Sequence, residues 1–271
     1  RKKRRLAMSE LINWFAEPLA FPFMQHALLT ALIVSITCGL LSCYLVLKGW
    51  SLMGDAVSHA VLPGIVLAFV FGIPLQIGAF ASGLLCSVGV GYLKNNSRLK
   101  EDTVMGIVFS GMFALGLVLF TKVETDQHLT HILFGNVLGV SREELLQTFA
   151  ICTAVALAVL LKRRDFMLYC FDPAQARIAG LSPQFLHYSL LTLLALTIIT
   201  AMQVAGVVLV VAMLISPGIT AFLLTKRFER MMIIVVAASV FTSLTGTLLS
   251  YHLNSATGPS IVILQAILFL L

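Results

Sequence analysis

The chain has 271 residues, of which 59% are hydrophobic and 11% charged, with a formal net charge of +6. A soluble domain of this size cannot hide that much apolar surface, so the composition excludes an ordinary globular core and points to repeated crossing of a membrane. Arg1, Lys2, Lys3, Arg4 and Arg5 hold five of the positive charges, and the rest are sparse and scattered, which excludes a nucleic-acid-binding surface.

Each span of about 20 apolar residues satisfies its own backbone as a helix. The apolar runs are continuous rather than alternating, which excludes a β-barrel. The fold class is therefore all-α, a polytopic transmembrane bundle of eight to nine spans in a single domain over 1–271. In chain order the apolar segments cover about 24–47, 56–71, 75–93, 103–121, 145–161, 185–202, 205–225 and 231–251, followed by a short one at 260–271. The 185–225 stretch is too long for one span and folds back near Gln203–Gly206. The last segment is shorter than a span, so it re-enters the bilayer or the chain continues. Met8 is a plausible first residue, and Arg1–Ala7 are set aside for topology. No cleavable signal sequence is read, because the first apolar run is too long and more spans follow it.

Basic residues mark the loops. Lys94, Arg98 and Lys100 lie in one, Lys162, Arg163, Arg164 and Arg177 in a second, and Lys226, Arg227 and Arg230 in a third. All three read as cytoplasmic, facing anionic lipid. The loop at 122–144 carries Glu124, Asp126, His128 and His131 and reads as external. Counting back puts Lys48 inside and the N-terminal side outside. Ser141 with Glu143 and Glu144 reads as a helix start. In the longest inside loop, Asp172-Pro173 is an N-cap signal, Ala174 to Ala179 a short helix and Gly180 its stop. A short helix between two basic arms suits docking on a soluble partner; the alternative is an interfacial turn.

The stretch "GDAVSHAVLPG" places Asp55 and His59 one turn apart on one helix face. An ionised aspartate near the bilayer centre costs about 2.5–3.5 kcal/mol on insertion scales. A carboxylate oxygen with an imidazole nitrogen suits Mn²⁺, Fe²⁺ or Zn²⁺ better than Mg²⁺ or Ca²⁺. Two ligands are too few for a site, and a second copy of the helix would supply two more. The alternative is an aspartate capping a helix end beside a quietly packed histidine. Pro63 lacks an N–H, so the His59 carbonyl loses its helical donor and the helix can open there. "PGIVLAF" at Pro63 and Gly64 is echoed by "PGITAF" at Pro217 and Gly218. Both read as helix breaks, and paired breaks in two halves point to a substrate path.

The remaining candidates are weaker. His128 and His131 could meet a metal at the external mouth, or be polar surface. His26, His187 and His252 sit near span ends, where they snorkel or cap. Gly206, Gly218 and Gly246 let helices pack closely. The five cysteines read as buried small hydrophobes, not disulfides or a thiolate metal site. No GxxxxGK[ST], HExxH or GxSxG occurs, so neither a P-loop nucleotidase nor an intramembrane protease is supported.

The stretches "LKGWSLMGDAVSHAVLPGIVLAF", "RLKEDTVMGIVFSGMF", "HILFGNVLGVS", "FDPAQARIAGL" and "LLTKRF" resemble the permease subunits of bacterial ABC importers for manganese, chelated iron and zinc. The second and third are most similar to the second of two permeases in manganese and iron systems. The likeness runs from about Met8 to the end, although relatives continue with a little more helix and a basic tail. It implies a multi-pass permease of the bacterial inner membrane, not itself an enzyme and without a permanent cofactor. Such a permease imports Mn²⁺ or Fe²⁺ by alternating access. The implied partners are a pair of ATP-binding subunits, a periplasmic or surface metal-binding protein, and a second permease, identical or related. The resemblance implies that Asp55 and His59 bind the ion in transit. It also implies that the 165–184 loop, through Phe171, Asp172, Pro173, Ala176, Gly180 and Leu181, couples to the ATPase. A zinc-specific permease is the alternative for cargo. An ion-coupled secondary carrier or a membrane scaffold are alternatives in class, and neither needs a docking helix.

Overall fold

The computed structural model describes residues 17–122 and 140–270. Its regular elements are α1 (Pro22–Lys48), α2 (Met53–Ala60), α3 (Leu62–Phe71), α4 (Leu75–Asn96), α5 (Glu101–Phe120), α6 (Arg142–Leu161), α7 (Arg163–Phe171), α8 (Pro173–Ile178), α9 (Pro183–Ala205), α10 (Val207–Leu224), α11 (Phe228–Leu253) and α12 (Thr257–Leu270). Among the described residues, eight spans are long and apolar enough to cross a membrane, with α2 and α3 forming one of them. They fall where the apolar segments predict. The fold-back between α9 and α10 occurs at Gly206, whose φ of 81° favours glycine over a residue with a Cβ. Ser141 and Glu144 make the reciprocal capping box at the start of α6.

The long helix α1 is the centre of the bundle. It packs on α10 and α11 along one side and on α6 and α9 along the other. Lipid is as apolar as leucine, so these contacts depend on close packing rather than on water exclusion. Small residues permit that approach. A Cβ on Gly39 would lie 2.8 Å from Ser239 Oγ, one on Gly218 would overlap Ser42 Oγ, and one on Gly246 would lie 2.5 Å from Ile261. Hydroxyls then tie helix to helix through backbone carbonyls. Ser243 Oγ donates to the Ala31 carbonyl (3.1 Å), and Thr37 Oγ1 reaches that of Cys152 (3.3 Å). All five cysteines are buried free thiols, as predicted.

The two Pro-Gly stretches behave differently. The helix is interrupted at Val61, between α2 and α3. Ser82 of α4 donates to the Ala60 carbonyl at 2.6 Å, satisfying an acceptor beside the break. Just beyond it, α3 and α4 cross with Gly64 and Gly78 in contact, so a Cβ on either would overlap the other's carbonyl. Pro217, by contrast, lies inside an unbroken α10, which corrects the expectation of a second break. Both Pro217 and Gly218 are buried, and Gly218 is clamped on Ser42 of α1, so packing holds the helix axis through the proline.

Alternation of the spans puts the three basic loops and Lys48 at the same end, which the basic bias assigns to the cytoplasm. The loop expected there is more ordered than its sequence suggests, because α7 precedes the short α8. At the other extreme, α12 has 14 residues and reaches about 21 Å, short of a hydrocarbon core. It lies against α10 and α11.

The Gly64–Gly78 crossing makes a testable demand. Gly78→Val should cost about 1–3 kcal/mol through overpacking, read as a lower thermal midpoint of the purified permease. Gly89→Ala, where a Cβ meets nothing within 4 Å, should leave the midpoint unchanged. Equal midpoints for the two variants would show that the crossing is not tight.

Candidate functional site

Helix α2 is only eight residues long. A short turn precedes it, in which the Trp50 N–H donates to the Leu45 carbonyl (2.8 Å) and the Met53 N–H to that of Trp50 (3.1 Å). Asp55 lies in the first turn, where the positive end of the helix dipole favours a carboxylate. His59 lies one turn on, and its Nε2 approaches Asp55 Oδ1 at 3.3 Å. Met53, Gly54, Ala56, Val57, Ser58 and Ala60 are all buried, whereas the side chains of His59 and Asp55 are 38% and 43% exposed. The pair therefore projects from the face of α2 that the other described residues leave half-open.

Aromatic rings of α5 bound this face. The His59 ring meets Phe113 edge-on, with centroids 5.3 Å apart, and Phe109 at 6.0 Å. The sequence reading did not single out either phenylalanine, because only the packing of α5 on α2 brings them there. The Val61 N–H turns to the His59 carbonyl, so the break begins immediately after the pair. Among the described residues no third His, Cys, Asp or Glu completes a metal-holding group.

Other predicted residues are distributed elsewhere. Pro217 and Gly218 do not join the pair. Helix α10 meets α2 through Leu214 and Gly54, while Gly218 faces α1. His128 and His131 lie outside the described residues. His187, in the first turns of α9, is half-buried, with its Nδ1 2.8 Å from the Tyr169 hydroxyl and its ring edge-on to Trp50. Its position near a span end is as expected, and its partners come from segments distant in sequence.

At the cytoplasmic end, α7 leads into α8. Asp172 caps α8, its Oδ1 accepting from the N–H groups of Ala174 (2.8 Å) and Gln175 (3.1 Å), with Pro173 at the first helical position. Gly180 ends it with a φ of 80°, and the Leu181 N–H bonds back to the Ala176 carbonyl at 3.0 Å. Ala176 is fully buried and anchors the helix, so it offers nothing to a partner. Phe171 and Ile178 are the exposed apolar groups, Ile178 at 87%. Ile178 escaped the sequence reading, because which face of α8 points outward depends on where Ala176 is seated. Burial pushes the Cys170 thiol up to about 12, partly opposed by Lys48.

A family model described as the ABC 3 transport family matches residues 20–271. The chain is 66% identical over 261 residues to the "Probable iron transport system membrane protein" of Haemophilus influenzae, covering 96% of each. It is 49% identical over 259 residues to the "Manganese transport system membrane protein MntB" of Synechocystis, covering 96% of this chain and 85% of the relative. Among solved structures it is similar to "PsaBC from Streptococcus pneumoniae in complex with Fab", with a TM-score of 0.84 and 38% identity over 96% of this chain and 94% of that one.

The geometry of α7 and α8 predicts a labelling pattern. In inside-out vesicles an impermeant maleimide should modify Ile178→Cys rapidly, while Cys170, buried and fully a thiol at pH 7, stays unmodified until the protein is denatured. Labelling of Ile178→Cys from the opposite side would reverse the orientation given above.

Proposed function

The chain belongs to the ABC 3 transport family and is a membrane permease component of an ABC transport system in the bacterial inner membrane, and on that premise we propose that it imports manganese or iron as divalent ions. The observation that supports this cargo is the Asp55–His59 pair on the open face of α2. Its oxygen-plus-nitrogen donors suit first-row divalent metals, and the relatives described above are named for iron and manganese transport. Two such pairs from two permeases would offer four ligands, with two carboxylates neutralising one divalent ion. The open face of a single chain is what such a shared site requires.

The chain acts as a single transmembrane domain whose 165–184 segment takes up the work of ATP hydrolysis from a separate pair of ATP-binding subunits. Phe171 and Ile178 are the side chains best placed to dock on them. Asp172, Pro173, Gly180 and Leu181 keep the docking helix in shape. A metal-binding protein at the outer surface delivers the ion. A bare divalent ion is poorly tolerated in lipid, so the passage depends on a few ligands and otherwise tight packing. The interruption of the hydrogen-bond ladder at Val61 leaves α2 and α3 joined by fewer helical bonds, so α2 can tilt with its neighbours while α3 stays on α4.

Reconstitution with the ATP-binding subunits and the binding protein tests this reading. Asp55→Ala and His59→Ala should each lower ATP-dependent Mn²⁺ uptake by at least about tenfold, the loss that even an outer partner of a metal ligand brings. Assembly with the ATPase should be retained. Normal uptake by Asp55→Ala would remove the assigned role. Unlabelled Mn²⁺ and Fe²⁺ should compete for uptake, and competition by Zn²⁺ alone would identify zinc as the cargo.

A further inference from the structure

Between the docking segment and the metal-facing helix lies a cluster, built on the buried Tyr169 and Trp50, that the proposed path does not use. Tyr169, near the end of α7, places its hydroxyl 2.8 Å from His187 Nδ1 at the start of α9. The opposite face of the cluster is Trp50, in the turn between α1 and α2, whose ring stands edge-on to His187 with centroids 5.3 Å apart. Tyr188 meets the same imidazole at 5.2 Å, and Lys48 lies 3.8 Å above the Tyr169 ring. Gly91 of α4 makes room for the imidazole, since a Cβ there would stand 2.7 Å from Nε2.

Two polar atoms in this cluster are buried without a hydrogen-bond partner among the described residues, His187 Nε2 and Trp50 Nε1. A buried, unpaired polar group costs about 1–3 kcal/mol, so two of them in one cluster mark a place where the packing is not at its polar optimum. Trp50 is 2% exposed, so it cannot move without its surroundings, and it stands five residues before Asp55. Contact therefore runs from α8 through α7 to Tyr169, then His187, then Trp50, and into α2.

We propose that Tyr169, His187 and Trp50 form a latch that transmits movement of the docking segment to the helix carrying Asp55 and His59. These are positioning residues: none touches the ion, and each acts on it through the tilt of α2. The inference rests on the proposed import function, and the test separates the two.

Purified permease is reconstituted in proteoliposomes with its ATP-binding subunits and binding protein, and Mn²⁺ moved per ATP hydrolysed is measured. Tyr169→Phe removes the hydroxyl and keeps the ring. It should lower the ratio about fivefold, the worth of one buried hydrogen bond, while ATP hydrolysis stays within about twofold of the parent. His187→Ala should uncouple similarly. His187→Asn, which keeps a polar atom near the place of Nδ1, should restore much of the ratio. An unchanged ratio in Tyr169→Phe overturns the latch, as does a parallel fall of uptake and hydrolysis, which marks a merely structural role. If His187→Ala does not assemble, Tyr169→Phe decides alone. Asp55→Ala runs beside them: if it transports normally the metal site is wrong, whereas a blocked Asp55→Ala beside a fully coupled Tyr169→Phe condemns only the latch.

Discussion

A carboxylate carried on a membrane-spanning helix needs something to share its charge, and Asp55 meets the His59 imidazole at 3.3 Å. That approach requires an intact helical turn between them. It also requires a fixed rotation of α2 about its axis. The six buried residues of α2 supply the rotation, since Gly54 abuts Leu214 and Val57 lies beside the position of Gly83. Any other rotation would bury the carboxylate against α4, α9 or α10 and expose apolar groups in its place. The arrangement of the surrounding helices is in this sense the frame that aims two side chains outward.

The frame is held by contacts that operate without water. Small residues let backbones approach, and serine and threonine hydroxyls cross to neighbouring carbonyls. The same requirement explains why two similar Pro-Gly stretches end differently. At Pro63 a neighbouring hydroxyl, Ser82, takes up the Ala60 carbonyl, so the ladder is interrupted at Val61 without leaving that acceptor bare. At Pro217 the adjacent glycine is pinned against Ser42, and the helix continues through the proline. A proline removes one donor in both places; the neighbours decide whether the ladder is interrupted.

Features governed by local chemistry were legible in the sequence. The spans follow from continuous apolar runs, the start of α6 from Ser141 and Glu144, and α8 from Asp172-Pro173 and Gly180. The Asp55–His59 approach follows from a spacing of four on one helix. Features governed by long-range contact were hidden. His187 lies near a span end as its position predicts, but its packing on Trp50 and Tyr169 was hidden, because neither is its neighbour in the chain. The orientation of α8, which buries Ala176 and exposes Ile178, depends on the bundle beneath it. The unbroken α10 depends on Ser42, far upstream. Residue type and spacing carry no signal for such contacts.

The position of the break relative to the pair has a mechanical consequence. A break between Asp55 and His59 would separate the two donors whenever the helix flexed. A break several turns later would make α2 too long to turn independently of α3. The interruption at Val61 falls just after the last donor, so α2 is a rod of about 12 Å with a joint at each end: the turn at Gly49–Leu52 on the docking side and Val61 on the other. Beyond Val61, the Gly64–Gly78 contact fixes α3 on α4. A push delivered at Trp50 would therefore shift the rod and both of its donors as a unit, together with the helices that fix its rotation, preserving their 3.3 Å relation. A site that must hold an ion in passage needs that internal rigidity, with any reorientation carried by the helices around it.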